Sequence, residues 1–295
     1  MIGTARALLV GGAWVPAGGA GCPATTVAAE KSINIGWTAW SDAEAVTKMA
    51  KKLIEENFDG YSVELTLADI AIQYQGVARG DLDMMMMAWL PGTHADYMEK
   101  VAGDVIDLGP IYTGAKLGWV VPAFVPEDEV ASIADLGKDE VKQKLGAQVQ
   151  GIDPGAGLMR LSAEALKEYG LDDYELVSAS GAAMTAALER AVRRNEWIVV
   201  TGWSPHWKFG KHDLRYLDDP KGVLGGQERI HVIARKGFYQ DNPDVGAFLA
   251  RMYLPLDELE GLMADAEDTS YEQAIDRYVE ENPNRIRYWL TGEIG

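Results

Sequence analysis

The stretch Met84-Met85-Met86-Met87-Ala88-Trp89-Leu90-Pro91-Gly92-Thr93-His94 decides the fold. Four consecutive methionines and an alanine make an unbroken apolar run, the pattern of a strand buried on both faces. Leu90-Pro91-Gly92 supplies turn chemistry just after Trp89, and His94 follows the turn. Strands buried on both faces belong to parallel α/β sheets, which present ligand-binding side chains beyond their carboxyl ends. Trp89 is therefore expected as one wall of an aromatic box, with His94 as a polar handle beside it.

The flanking sequence repeats the same rhythm. Ser32-Ile33-Asn34-Ile35 alternates as a first strand and runs out into Gly36-Trp37-Thr38-Ala39-Trp40. Ser41 or Asp42 can cap a helix over 42–57, with Ala45, Val46, Met49, Leu53 and Ile54 on one face. Residues 61–68 read as a second strand and 70–81 as carrying the next helix, so Leu82 with the methionine run is the third strand of a parallel lobe. Residues 105–112 and 117–126 read as two further β-rich runs, the second leaving the first lobe. A helix over 129–146 follows, then strand 147–153, helix 157–170 closed by Gly170, strand 174–180, helix 181–196 and a buried strand 197–203 that stops at Trp203. Residues 214–219 and 222–226 read as loops, 229–238 as a return strand, and the chain from about 243 as helices. No low-complexity linker separates the halves, which points to two lobes joined by crossover strands. The expected division is 1–29 leader, 30–121 with 229–295 as lobe 1, and 122–228 as lobe 2.

Composition narrows the function. The chain has 295 residues, 47% of them hydrophobic and 24% charged, an ordinary globular balance that suits two lobes. A formal net charge of −18 repels phosphate and argues against nucleic acid as a partner. Nine Trp and twelve Tyr against five Phe favour aromatics with a polar edge, which suit a wet ligand box. Cys22 is the single cysteine, so thiolate metal sites and an intramolecular disulfide are excluded; with four His and no HExxH, no metal site is expected.

Residues 1–29 read as an export leader. Arg6 precedes the apolar stretch Ala7–Gly21, and Val27-Ala28-Ala29 has the small-residue pattern of a signal-peptidase site. The stretch is too short to span a bilayer. Small residues before Cys22 would allow a lipid anchor, although the bulky aliphatic residue usual three positions earlier is missing. The expected location is periplasmic, or extracellular and membrane-associated.

Strand ends carry the chemistry. Trp40, Trp89 and Trp203 each stand at or just beyond the carboxyl end of a strand, where open α/β sheets bind ligands. One such Trp would be core packing; three at equivalent positions indicate an aromatic box for a cation without hydrogen-bond donors, such as a quaternary ammonium. Gly151-Ile152-Asp153-Pro154-Gly155-Ala156-Gly157 is a strand–loop–helix junction whose backbone N–H groups suit an anion such as a carboxylate. It is neither a Walker loop nor GxGxxG. His206 is read as structural, only one of Trp37 and Trp40 as facing the ligand, and Arg190, Arg193 and Arg194 as a solvated helix face.

These stretches carry a family resemblance. Residues 35–45, 88–97, 151–159, 178–188 and 199–207 resemble the substrate-binding proteins of ABC-type glycine betaine/proline betaine importers, over essentially all of 32–290. The resemblance implies a two-lobed type II periplasmic-binding-protein fold of class α/β, with the ligand in the interlobe cleft. It implies a tryptophan prism of Trp40, Trp89 and Trp203 around a trimethylammonium. It also implies a carboxylate held by the backbone amides of Gly151 and Ile152 and by His94. Some relatives have the lobes in circularly permuted order. The expected function is capture of glycine betaine, or a similar quaternary ammonium zwitterion, for delivery to an ABC permease in osmoprotection, by a monomer needing no cofactor. Dimethylsulfoniopropionate, carnitine, choline and ectoine are alternative ligands. A hydrolase or lyase using Asp153 and His94 is the alternative of another class, weakened by the lack of a Gly-x-Ser-x-Gly elbow.

Overall fold

The computed structural model describes residues 31–294, so the leader and Cys22 lie outside the described residues. Strand β1 (Lys31–Trp37) is followed by helix α1 (Ser41–Asn57), β2 (Tyr61–Leu67), α2 (Ile70–Arg79), β3 (Met84–Leu90) and α3 (Ala95–Val101). The buried residues of α1 fall on one face, and Asp42 and Glu44 complement the positive end of its dipole. Gly80, in the left-handed region at φ +80°, ends α2 and turns the chain into the methionine strand. Strands β2, β1 and β3 pair in parallel, as alternating strands and helices require. All four methionines are buried, so they are sheet core.

The long strand β4 (Val105–Pro122) replaces the two separate runs expected from the sequence. Bulges near Gly109 and Gly114, both at positive φ, bend the strand and let it continue where the alternation breaks. From Val105 to Lys116 it pairs antiparallel with the return strand; from Lys116 onward it pairs with β7 (Val200–Ser204) and β8 (Leu214–Tyr216). The long helix expected over 129–146 is a 3-10 turn at Ile133–Gly137 and a short helix, α4 (Asp139–Leu145). The Ser132–Asp135 capping box starts the turn. Strand β5 (Gln148–Gln150), α5 (Gly157–Glu168), β6 (Glu175–Val177), α6 (Gly181–Arg194) and α7 (Lys208–Lys211) complete the second half with β7 and β8. Residues 214–216, read as loop, form β8 because they pair with the end of β4.

Strand β9 (Gln227–Arg235) returns to pair antiparallel with β3 and β4. Helices α8 (Phe238–Asp241), α9 (Pro243–Arg251), α10 (Leu256–Asp268), α11 (Tyr271–Glu281) and α12 (Pro283–Thr291) then pack on the first half. The strand order is β2-β1-β3-β9-β4-β7-β5-β6, with β8 on β4. A smaller core centred on Trp119, Ile133, Val149 and Val199 lies wholly within residues 119–224, beside a larger core. The molecule is thus a mixed α/β protein of two lobes, joined where β4 passes from one half of the sheet to the other. Among the described residues no helix is long and apolar enough to cross a membrane.

Candidate ligand site between the lobes

A cavity of about 280 Å³ lies where the strand ends of both lobes meet. Trp40, Trp89, His94, Ile152 and Trp203 all line it. Thr93, Leu117, Ala156, Gly157 and Leu158 complete the wall.

Local sequence explains each placement. Trp40 precedes α1, and its carbonyl accepts the N–H of Glu44 at 2.9 Å. Trp203 is held in β7 opposite Leu117 of β4, so one ladder position supplies two lining residues. The Trp40 and Trp203 rings stand 6.5 Å apart, inclined at 56°. Trp89 belongs to β3 itself, and the turn after it is closed reciprocally: the His94 N–H donates to the Trp89 carbonyl at 2.9 Å, and the Trp89 N–H donates to His94 Nδ1 at 3.1 Å. The spacing between Trp89 and His94 therefore reflects a hydrogen-bonded turn. With Nδ1 accepting, the neutral ring carries its proton on Nε2. Burial, reinforced by the nearby Arg160 guanidinium and opposed by the Met87 backbone, pushes the imidazole pKa down to about 3, so His94 is neutral at ordinary pH. Tyr74 packs its ring edgewise on His94, with centroids 5.7 Å apart.

The Gly-rich loop behaves differently from expectation at one position. The Gly151 N–H donates to the Val177 carbonyl at 2.9 Å, and Gly151 is not part of the cavity wall. Its amide is thus engaged in the sheet. The Ile152 N–H meets only the Met159 thioether, at 3.3 Å, a weak acceptor that an anion would displace. In the first turn of α5, the N–H groups of Gly157 and Leu158 have no acceptor among the described residues, and both residues line the cavity. The donors open to an anion are therefore Ile152, Gly157 and Leu158, beside His94. Any side chain at Gly157 would place its Cβ 2.5 Å from Thr93 Cγ2 and 2.8 Å from the Thr93 carbonyl, so glycine is what lets α5 approach the His94 turn.

Hydrogen bonds across the cleft hold the lobes together. Trp40 Nε1 donates to Asp153 Oδ2 at 3.1 Å, Tyr97 Oη to the Gly155 carbonyl at 3.1 Å, and Arg160 Nη2 to the Thr93 carbonyl at 3.2 Å. Trp203 Nε1 donates to Asp42 Oδ1 at 3.1 Å. Asp42 is fully buried and also accepts from Tyr112 Oη at 2.6 Å. Burial pushes its carboxyl up, against the opposing pull of Tyr112 and Trp203. Sequence reasoning missed Asp42, Tyr97, Tyr112 and Arg160 in these roles. Only Asp42 carried a signal, as a helix-capping candidate beside Trp40.

The remaining candidates fall outside the cavity. His206 bonds Ser41 Oγ through Nε2 at 3.3 Å and accepts the Lys208 N–H at Nδ1. Trp37 does not line the cavity, and Arg190, Arg193 and Arg194 are exposed. Among the described residues no cluster of three or more His, Cys, Asp or Glu could hold a metal ion.

Residues 31–281 match the family model of the substrate-binding domain of ABC-type glycine betaine transport systems. The chain belongs to this family. Its substrate-binding domains serve transport and are not enzymes. The glycine betaine/carnitine transport binding protein GbuC of Listeria monocytogenes is 39% identical over 160 residues, 52% of this chain and 53% of that protein, so the match spans about half of that relative. The glycine betaine/proline betaine-binding periplasmic protein of Salmonella typhimurium is 22% identical over 271 residues, covering 78% of this chain and 81% of the other. Among solved structures, lactococcal OpuAC, closed and complexed with glycine betaine, superposes with a TM-score of 0.81 at 36% identity, covering 88% of this chain and all of that one. This glycine betaine-type binding domain thus shares the two-lobed fold of that structure.

Proposed function

We propose that this protein captures glycine betaine outside the cytoplasm and presents it, in the closed state, to the permease of an ABC importer. The observation that carries the reading is one small cavity lined both by three tryptophans and by residues with unengaged N–H donors. Trp40, Trp89 and Trp203 surround the trimethylammonium. Three desolvated faces contribute about 6 kcal/mol at most, at about 2 each. A micromolar constant requires about 8 kcal/mol, so the carboxylate end must supply the rest. His94 Nε2–H, the Ile152 N–H and the first-turn amides of α5 supply it, while Gly151 backs the loop through its bond to Val177.

The lobes divide at 30–121 with 229–295 and at 122–228. Trp40, Trp89 and His94 then come from one lobe and Ile152, Gly157 and Trp203 from the other. A ligand gripped by both stabilises closure, the state a permease can distinguish. The cavity performs no chemistry in this reading: the Asp153 carboxylate is tied to Trp40, and His94 has a pKa far below that of a general base at neutral pH. Export rests on the leader-like residues 1–29, and the Salmonella relative is named as periplasmic. The protein acts as a monomer. Dimethylsulfoniopropionate, a sulfonium zwitterion, is the closest competing ligand; choline lacks the carboxylate that the amides suit. A thermal-shift screen of betaine, proline betaine, dimethylsulfoniopropionate, carnitine, choline and ectoine tests the reading. Glycine betaine is expected to give the largest shift; no shift with any zwitterion would overturn it.

A further inference from the structure

Trp203 has two charged-type neighbours that the prism does not explain. At its indole N–H edge lies the fully buried Asp42 carboxylate. Over its ring lies Lys208 Nζ, 4.4 Å from the centroid, in a side chain that is also fully buried. Nζ has no hydrogen-bond partner and forms no ion pair with Asp42 among the described residues. Lys208 is absent from the cavity wall.

The geometry points to Asp42 as the hidden counter-charge of the site: an unbalanced buried carboxylate that acts through Trp203 to make the box select a positive head group. Burial opposes its anionic form, and two hydrogen-bond donors that reach it at the start of α1, Tyr112 Oη and Trp203 Nε1, support it. A hydrogen bond from an indole N–H to an anion sends electron density into the ring, which strengthens the face offered to a cation. Lys208 could cancel the effect only as an ammonium. Burial with no acceptor favours its neutral amine, with Asp42 and Glu260 pulling the other way. A buried, unpaired carboxylate is costly to the empty protein, and the cation of the ligand offsets it. Asp42 touches no ligand in this account, so it is a positioning residue, and it confers charge selectivity where the tryptophans alone confer shape.

The inference rests on the betaine reading and is tested separately from it. Glycine betaine and 3,3-dimethylbutanoate, its isostere with carbon in place of the quaternary nitrogen, are titrated calorimetrically into the wild type and Asp42→Asn, with folding checked by thermal melting. A unit charge about one indole away, at an effective dielectric constant near 20, implies that Asp42→Asn lowers the betaine-over-isostere preference roughly tenfold. A merely structural role would weaken both ligands alike, and an unchanged ratio overturns the inference. No betaine binding by the wild type would instead sink the betaine reading. Lys208→Met is expected to leave the ratio within about twofold, and a marked rise would show that Lys208 balances Asp42 and overturn the unbalanced charge. Should Asp42→Asn not fold, Asp42→Ser, which keeps an oxygen at the helix start, carries the same readout.

Discussion

Replacing His94 separates the two ends of the ligand. His94 is buried, its Nδ1 is taken by the Trp89 N–H, and its pKa of about 3 leaves a neutral Nε2–H donor throughout the physiological range. Its bond to a carboxylate would be a hydrogen bond to a charged group, worth about 1.5–3 kcal/mol. His94→Ala should therefore weaken glycine betaine binding roughly 10- to 150-fold. Choline, with the same head group and no carboxylate, should lose far less. The same truncation orphans the buried Trp89 N–H, at a stability cost of about 1–3 kcal/mol, so melting must be followed alongside binding. Calorimetric titration with both ligands is the assay. Equal losses for betaine and choline would refute the assignment of His94 to the carboxylate end, because a general loosening of the turn would be enough to explain them.

Further outcomes follow from the same geometry. Because the folded His94 pKa lies near 3 and the unfolded one near 6.5, the unfolded chain takes up the proton first; the neutral residue stabilises fully above about pH 6.5, and that contribution falls progressively toward pH 3, by about 2 kcal/mol at pH 5. Urea midpoints at pH 7 and 5 should show this loss in the wild type and a smaller one in His94→Gln; identical slopes would remove His94 as the source. Trp89→Ala should weaken betaine by at least about tenfold by removing one desolvated face, and unchanged affinity would contradict the prism. Gly157→Ala should strongly weaken binding, since its Cβ would strike Thr93 in this arrangement of the lobes; full affinity would show that α5 need not approach so closely. Asp153→Asn retains an acceptor for Trp40 Nε1 but no charge, so it should weaken binding less than Asp153→Ala in a side-by-side titration.

Much of the candidate site's placement at strand ends was legible in the sequence because strand ends announce themselves. A buried run that stops at an aromatic and turns on Pro-Gly, as at Trp89, fixes both the strand and where its last side chain sits. The same logic located Trp40 and Trp203. What was not legible depends on tertiary pairing. The continuity of β4 comes from its two partners and its bulges, and no local pattern spans Gly109 and Gly114. Residues 214–216 carry no strand signal of their own and become β8 only against the end of β4. The amide of Gly151 is engaged because β6 lies alongside it, which leaves Ile152, Gly157 and Leu158 as the free donors. Asp42 looked like a cap; only the fold shows Tyr112 and Trp203 converging on it.

In the proposed function one closed cavity grips a quaternary ammonium and a carboxylate together. Calorimetric titration of the protein with glycine betaine tests it most directly. The account predicts saturable binding of one ligand per chain at micromolar strength or tighter, roughly −8 kcal/mol or better. Absence of binding at millimolar glycine betaine would contradict it.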